Sequence, residues 1–131
     1  MTDVGSISRA IALAATEAAR DKQATDVVVL DVAELLSITD YFVICSASSD
    51  RQIKTVIQAV EDRVRHDLDL RPVRREGEAD AGWWLLDYVD VVVHIQHSDE
   101  RNFYALDRLW KDCPAVTVDG LGEHPVESAG E

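Results

Sequence analysis

His94 and His97 stand three residues apart at the end of an apolar run, and neutral imidazole is the commonest zinc ligand. A metal centre needs ligands that converge. On a strand, an offset of three turns the two rings to opposite faces, and no cysteine pair or carboxylate cluster completes a tetrahedral set. No metal is expected, and His94 reads as a hydrogen-bonded sheet residue. The carboxylates Asp31, Asp40, Asp87 and Asp90 are of the kind that two-metal phosphoryl transfer uses, but that chemistry also needs a cradle for phosphate. Neither GxGxxG nor a P-loop pattern occurs, and SASSDR, residues 46–51, has no glycine with which a backbone could close on a nucleotide. No cofactor is expected. Cys45 within YFVICS reads as an inert core thiol, the helix-flanking serines form no nucleophile elbow, and Arg74-Arg75 reads as solvated edge protection rather than an RNA contact. The expectation is a protein that is not an enzyme.

What remains is aromatic. All three tryptophans lie between Gly82 and Trp110, two of them adjacent. On a strand Trp83 and Trp84 must point to opposite faces. Parity groups Trp84, Leu86 and Tyr88 on one face and Trp83, Leu85 and Asp87 on the other, which the acid makes the wetter one. Two placements of Trp83 stay open: core beneath a helix, or an exposed anchor for a partner protein. Asp87 and Asp90 suit turn positions, and equally a polar rim around such an anchor.

These residues need a scaffold to position them. Ile7, Ile11, Ala14, Ala15 and Ala18 recur at helical spacing, which predicts an amphipathic helix from Ser6 to about Ala24 with Ser6 or Ser8 as N-cap. Asp26–Val32 reads as a central strand buried on both faces, and Tyr41–Ser46 as a second strand. Ser48, Ser49 and Asp50 can cap a helix whose stripe is Ile53, Val56, Ile57, Val60, Val64 and Leu68, with Glu61 and Arg65 spaced for an ion pair. Past Pro72, Val73–Glu76 reads as an edge strand and GEADAG, residues 77–82, as a turn. Trp83–Leu86 and Val91–Ile95 form a hairpin across Asp87–Asp90, and a last helix begins at Ser98 and buries Phe103, Leu106 and Trp110.

The expected architecture is α/β, a single domain with a mixed β-sheet of about five strands flanked by helices. It should occupy residues 1–113, and residues 114–131 should form a disordered acidic tail. The length of 131 residues allows a core without disulfides or metal. No apolar run approaches the roughly 20 residues of a membrane span, no targeting segment is evident, and a count of two cysteines that the sequence does not pair suits a reducing compartment, so the cytoplasm is the expected location. A net charge of −12 is the wrong sign for gripping phosphates, so direct nucleic-acid binding is not expected. It would instead favour encounter with a basic partner such as a ribosomal protein, or serve solubility alone.

Taken in order, Ile38-Thr39-Asp40-Tyr41-Phe42-Val43-Ile44, Ser49-Asp50-Arg51-Gln52, Gly82-Trp83, Leu86-Asp87-Tyr88, Asp90-Val91-Val92-Val93-His94 and Arg101, Tyr104, Leu106, Leu109-Trp110 resemble the ribosomal silencing factor, or Iojap-like, family. The resemblance implies a fold like that of nucleotidyltransferases without their chemistry, and commonly a homodimer. It further implies binding to ribosomal protein fourteen of the large subunit, which blocks joining of the small subunit and lowers translation when nutrients are scarce. Carried over by position, Trp83 is the aromatic contact; Asp87, Tyr88 and Asp90 match family residues, and Leu85 shares the Trp83 face. The alternatives are a large-subunit assembly factor and a metal-dependent nucleotidyltransferase using Asp87, Asp90 or Asp40.

Overall fold

A computed structural model describes residues 4–34, 36, 38–78, 82–98 and 115–116. Helix α1 (Val4–Asp21) leads into β1 (Thr25–Asp31) and β2 (Tyr41–Ala47), then α2 (Asp50–Leu68), β3 (Arg74–Glu78), β4 (Trp83–Asp87), β5 (Val91–His97) and β6 (Ala115–Val116). The strands form one sheet in the order β3-β4-β5-β2-β1-β6. Among the described residues only the β2–β5 pair is parallel, with Tyr41 opposite Val91 and Ile44 opposite His94; the other neighbours run antiparallel. The sheet is therefore mixed, as expected, with one strand more than the sequence suggested.

Alanine makes the helical layer. Ala12, Ala14, Ala15, Ala18 and Ala19 are buried in α1, and their small side chains bring it close to α2, which buries Ile53, Val56, Ile57, Val60 and Val64. Both helices lie on one face of the sheet, against Val29, Val43, Cys45, Leu86, Val91, Val93 and Ile95. Strand periodicity puts the alternate residues on the other face, where Leu30, Val32 and Ile44 form a smaller cluster with Val28, Leu36, Phe42 and Trp83.

The joint between the helices explains the SDRQ motif. Helix α1 stops in a Schellman turn: Ala24 N–H donates to the Ala19 carbonyl (3.0 Å) and Gln23 N–H to that of Arg20 (2.9 Å), with Gln23 at φ 65°. Ser49 caps α2 by accepting from Gln52 N–H (3.1 Å). The Gln52 side chain then works both ways. Its Oε1 accepts from Ser48 N–H (2.8 Å), and its Nε2 donates to the carbonyls of Lys22 (3.1 Å) and Gln23 (3.0 Å), tying the end of α1 to the start of α2.

Several expectations change. Helix α1 begins two residues early and ends three early; Ser8 is not its cap but a buried interior residue whose hydroxyl donates to Asp40 (2.7 Å), and Ile7 is exposed. Strand β1 lies next to β6 near a sheet edge rather than at the centre, with an irregular register between Thr25 and Val28. Glu61 pairs with Arg75 (3.5 Å) across to β3, not with Arg65 one turn on. Ala115 and Val116 pair with Leu30 and Val29 and add a short strand beside β1. The expected last helix, apart from Ser98, and the rest of the tail lie outside the described residues.

Gly77 is a strand residue, not part of the turn expected over 77–82. It pairs with Trp84, whose ring lies directly over it in the space a Cβ would need. Together with its packing against the main core, this settles Trp84 on the helical side.

Candidate protein-docking face

The β4–β5 hairpin positions the expected residues. Trp83 lies opposite Gln96, Leu85 opposite His94 and Asp87 opposite Val92, all on the face away from the helices. On the other side of β5, Phe42 continues the row through Val92, and Ile44 the row through His94. Trp83 is half-buried: part of its ring covers the smaller cluster, and the remainder is accessible. Among the described residues no helix covers it, since both helices lie on the opposite face.

The indole is held in place. Its Nε1–H donates to His94 Nδ1 (3.2 Å), with ring centroids 5.7 Å apart, and Phe42 meets the other side of the imidazole edge-on at 4.7 Å. His94 is only 5% exposed, and burial pushes its pKa down to about 4. It is therefore neutral at neutral pH. With Nδ1 accepting, the proton sits on Nε2, which finds no partner among the described residues. Such an imidazole orients an aromatic side chain. Among the described residues no three His, Cys, Asp or Glu side chains group in a way that could hold a metal ion.

Asp87 has two partners. Its Oδ1 accepts from Val89 N–H (2.8 Å), and its Oδ2 meets Arg74 Nη2 (3.4 Å), which lies beside Glu76 (Nε to Oε2, 3.2 Å). It is the turn residue that its position allowed, and it shares the face of Trp83. Asp90 closes the turn through its backbone, its carbonyl accepting from Asp40 N–H (2.8 Å) and Tyr41 N–H (3.2 Å). Tyr88 is placed differently from the other site candidates. It is 6% exposed within the main core, where burial first and Glu61 second raise its pKa. The ring anchors the hairpin to the helical layer rather than presenting itself on the surface.

The other chemical candidates are dispersed. Asp40 accepts from Ser8, Cys45 is wholly buried, and His94 and His97 lie on opposite faces of β5. No helix among the described residues is long and apolar enough to cross a membrane. The His94 prop beneath Trp83 could not be assigned from sequence, because cross-strand register decides it. The signal that could have pointed to it is a buried-strand histidine in the hairpin partner of a tryptophan strand.

Known proteins share this fold. The family described as "ribosomal silencing factor during starvation" matches residues 6–130. A ribosomal silencing factor of Bacillus subtilis (strain 168) is 37% identical over 105 residues, covering 80% of this chain and 88% of its own. A mouse protein named for mitochondrial assembly of the ribosomal large subunit is 31% identical over 94 residues, 70% of this chain and 41% of its own. A crystal structure from Chromobacterium violaceum superposes with a TM-score of 0.72 at 29% identity, covering 78% of this chain and 84% of that one. The chain belongs to the ribosomal silencing factor family.

Proposed function

We propose that this protein represses translation in the cytoplasm by binding the large ribosomal subunit through ribosomal protein fourteen and sterically preventing the small subunit from joining. The observation that carries the reading is the half-buried Trp83, fixed by His94 on the sheet face away from the helices, with Leu85 beside it and Asp87 at the rim. Interface hot spots are commonly large aromatics whose orientation is set before binding, ringed by polar groups that exclude water. A net charge of −12 favours approach to a basic ribosomal protein. Occlusion needs only affinity and bulk, which suits a fold whose titratable side chains serve structure. Asp90 contributes to the same rim, Tyr88 supports it from behind, and the free chain is a homodimer.

Sedimentation tests this directly. The protein should travel with free large subunits on a sucrose gradient, and adding it to mixed subunits should reduce the whole-ribosome peak. Migration with neither particle would sink the proposal. A second reading, assistance in large-subunit assembly, is favoured by the mouse relative. It would show as immature large subunits after depletion of the protein, with joining of mature subunits unaffected.

A further inference from the structure

The large apolar side chains that stand exposed among the described residues are Ile7 (38%), Ile38 (79%), Val73 (68%) and Val89 (51%). Widely separated in sequence, they lie toward one end of the sheet, where β1 and β4 finish and β2, β3 and β5 begin. Val73 N–H donates to the Asp87 carbonyl (2.8 Å), and the Thr39 hydroxyl, next to Ile38, to that of Val89 (3.2 Å). Ser8, next to Ile7, reaches Asp40 (2.7 Å). Isolated exposed apolar residues are ordinary, but four collected at one end form a patch.

Val89 adds a separate indication. It sits at φ 73°, and Asp90 N–H donates to the Tyr88 carbonyl (2.9 Å), closing a three-residue turn of the positive-φ kind. A β-branched side chain rarely takes this conformation, which glycine would adopt freely. The Asp87 carboxylate and the Thr39 hydroxyl hold the residue there and leave its isopropyl group half exposed at the hairpin tip. Strain of this sort gathers where a side chain is displayed.

Asp87 joins the two surfaces, since it shares the Trp83 face and also fixes Val89. Asp31, Asp40 and Asp90 lie at the same end, where Arg74 is engaged by Asp87 and Glu76, and Arg9 by the Tyr41 hydroxyl. We infer that this end of the sheet is a second contact patch for the same ribosomal protein, taking an apolar spot set in a basic surface. Contact would run from Trp83 around the hairpin tip to Ile38 and Val73. The inference rests on the silencing reading above.

The test compares wild type, Trp83→Ala and a triple variant, Ile38→Ser/Val73→Ser/Val89→Gly, for binding to purified large subunits. Glycine suits the backbone at Val89, so the triple variant should melt close to wild type while binding at least tenfold more weakly. If it melts early, Val89→Gly alone decides, with a threefold loss expected. Binding within twofold of wild type, while Trp83→Ala is impaired, overturns the inference and leaves the silencing reading standing. Unchanged subunit binding with lost self-association in light scattering overturns it too, since the patch would then join two copies. Wild type that fails to bind large subunits removes the silencing reading and the inference together.

Discussion

Acidification should loosen this fold through one residue. In an unfolded chain His94 takes up a proton near its ordinary value of 6.5, whereas in the folded chain burial delays uptake until about pH 4. Between those values unfolding binds a proton, so stability is full above about pH 7 and falls as the pH drops through 6.5 towards 4. At pH 5 the shift amounts to a factor of about 30 in the folding equilibrium, or about 2 kcal/mol, approaching about 3 kcal/mol by pH 4. Other groups titrate in the same range, so the measurement is a difference. His94→Asn keeps an acceptor near Nδ1 for the Trp83 indole but cannot gain a proton. Urea unfolding of both proteins at pH 7.5 and pH 5, followed by circular dichroism, should show wild type losing about 2 kcal/mol more than the variant. Equal losses would mean that the folded protein accommodates an imidazolium at this position, and the assignment of a neutral, indole-bound His94 would fall.

Trp83→Ala should weaken large-subunit binding by about 2 kcal/mol or more, roughly 30-fold, with the sheet intact by circular dichroism; a variant that unfolds would make Trp83 a core residue instead. Gly77→Ala should cost about 1–3 kcal/mol, because a methyl group must displace the Trp84 ring from its bed on β3. Thermal melting would show it, and an unchanged midpoint would mean that the ring moves freely. Gln52→Ala should cost about 1–2 kcal/mol by releasing the carbonyls of Lys22 and Gln23 together with the Ser48 N–H. Chemical denaturation measures this loss, and fraying at the end of α1 should appear as faster hydrogen exchange there.

Much of the architecture is legible in periodicity. The stripe from Ile53 to Val64, the alternation through Val91–Ile95 and the serine cap of α2 each report a local rule of side-chain direction or backbone satisfaction. Parity alone likewise separates Trp83 from Trp84. What stays hidden depends on pairing between distant residues. Gly77 carries the composition of a turn, yet its lack of a side chain serves a tryptophan on the neighbouring strand. Glu61 has an eligible arginine one turn away and takes one from β3 instead. The left-handed conformation of Val89 is illegible for a plainer reason: nothing in valine announces it, and it exists because Asp87 and Thr39 impose it.

The parallel pairing of β2 with β5 has a consequence for synthesis. Strand β5 finds β4 just behind it in the chain, but its other neighbour was made much earlier, with Tyr41 opposite Val91. Such long-range pairing closes late in folding, after its loop has paid the entropy of closure. A nascent chain that has reached the end of α2 therefore owns both helices and the β1–β2 hairpin, and still lacks the strands that carry Trp83 and His94. The docking face proposed above is therefore complete only after the last of its strands has been made and paired.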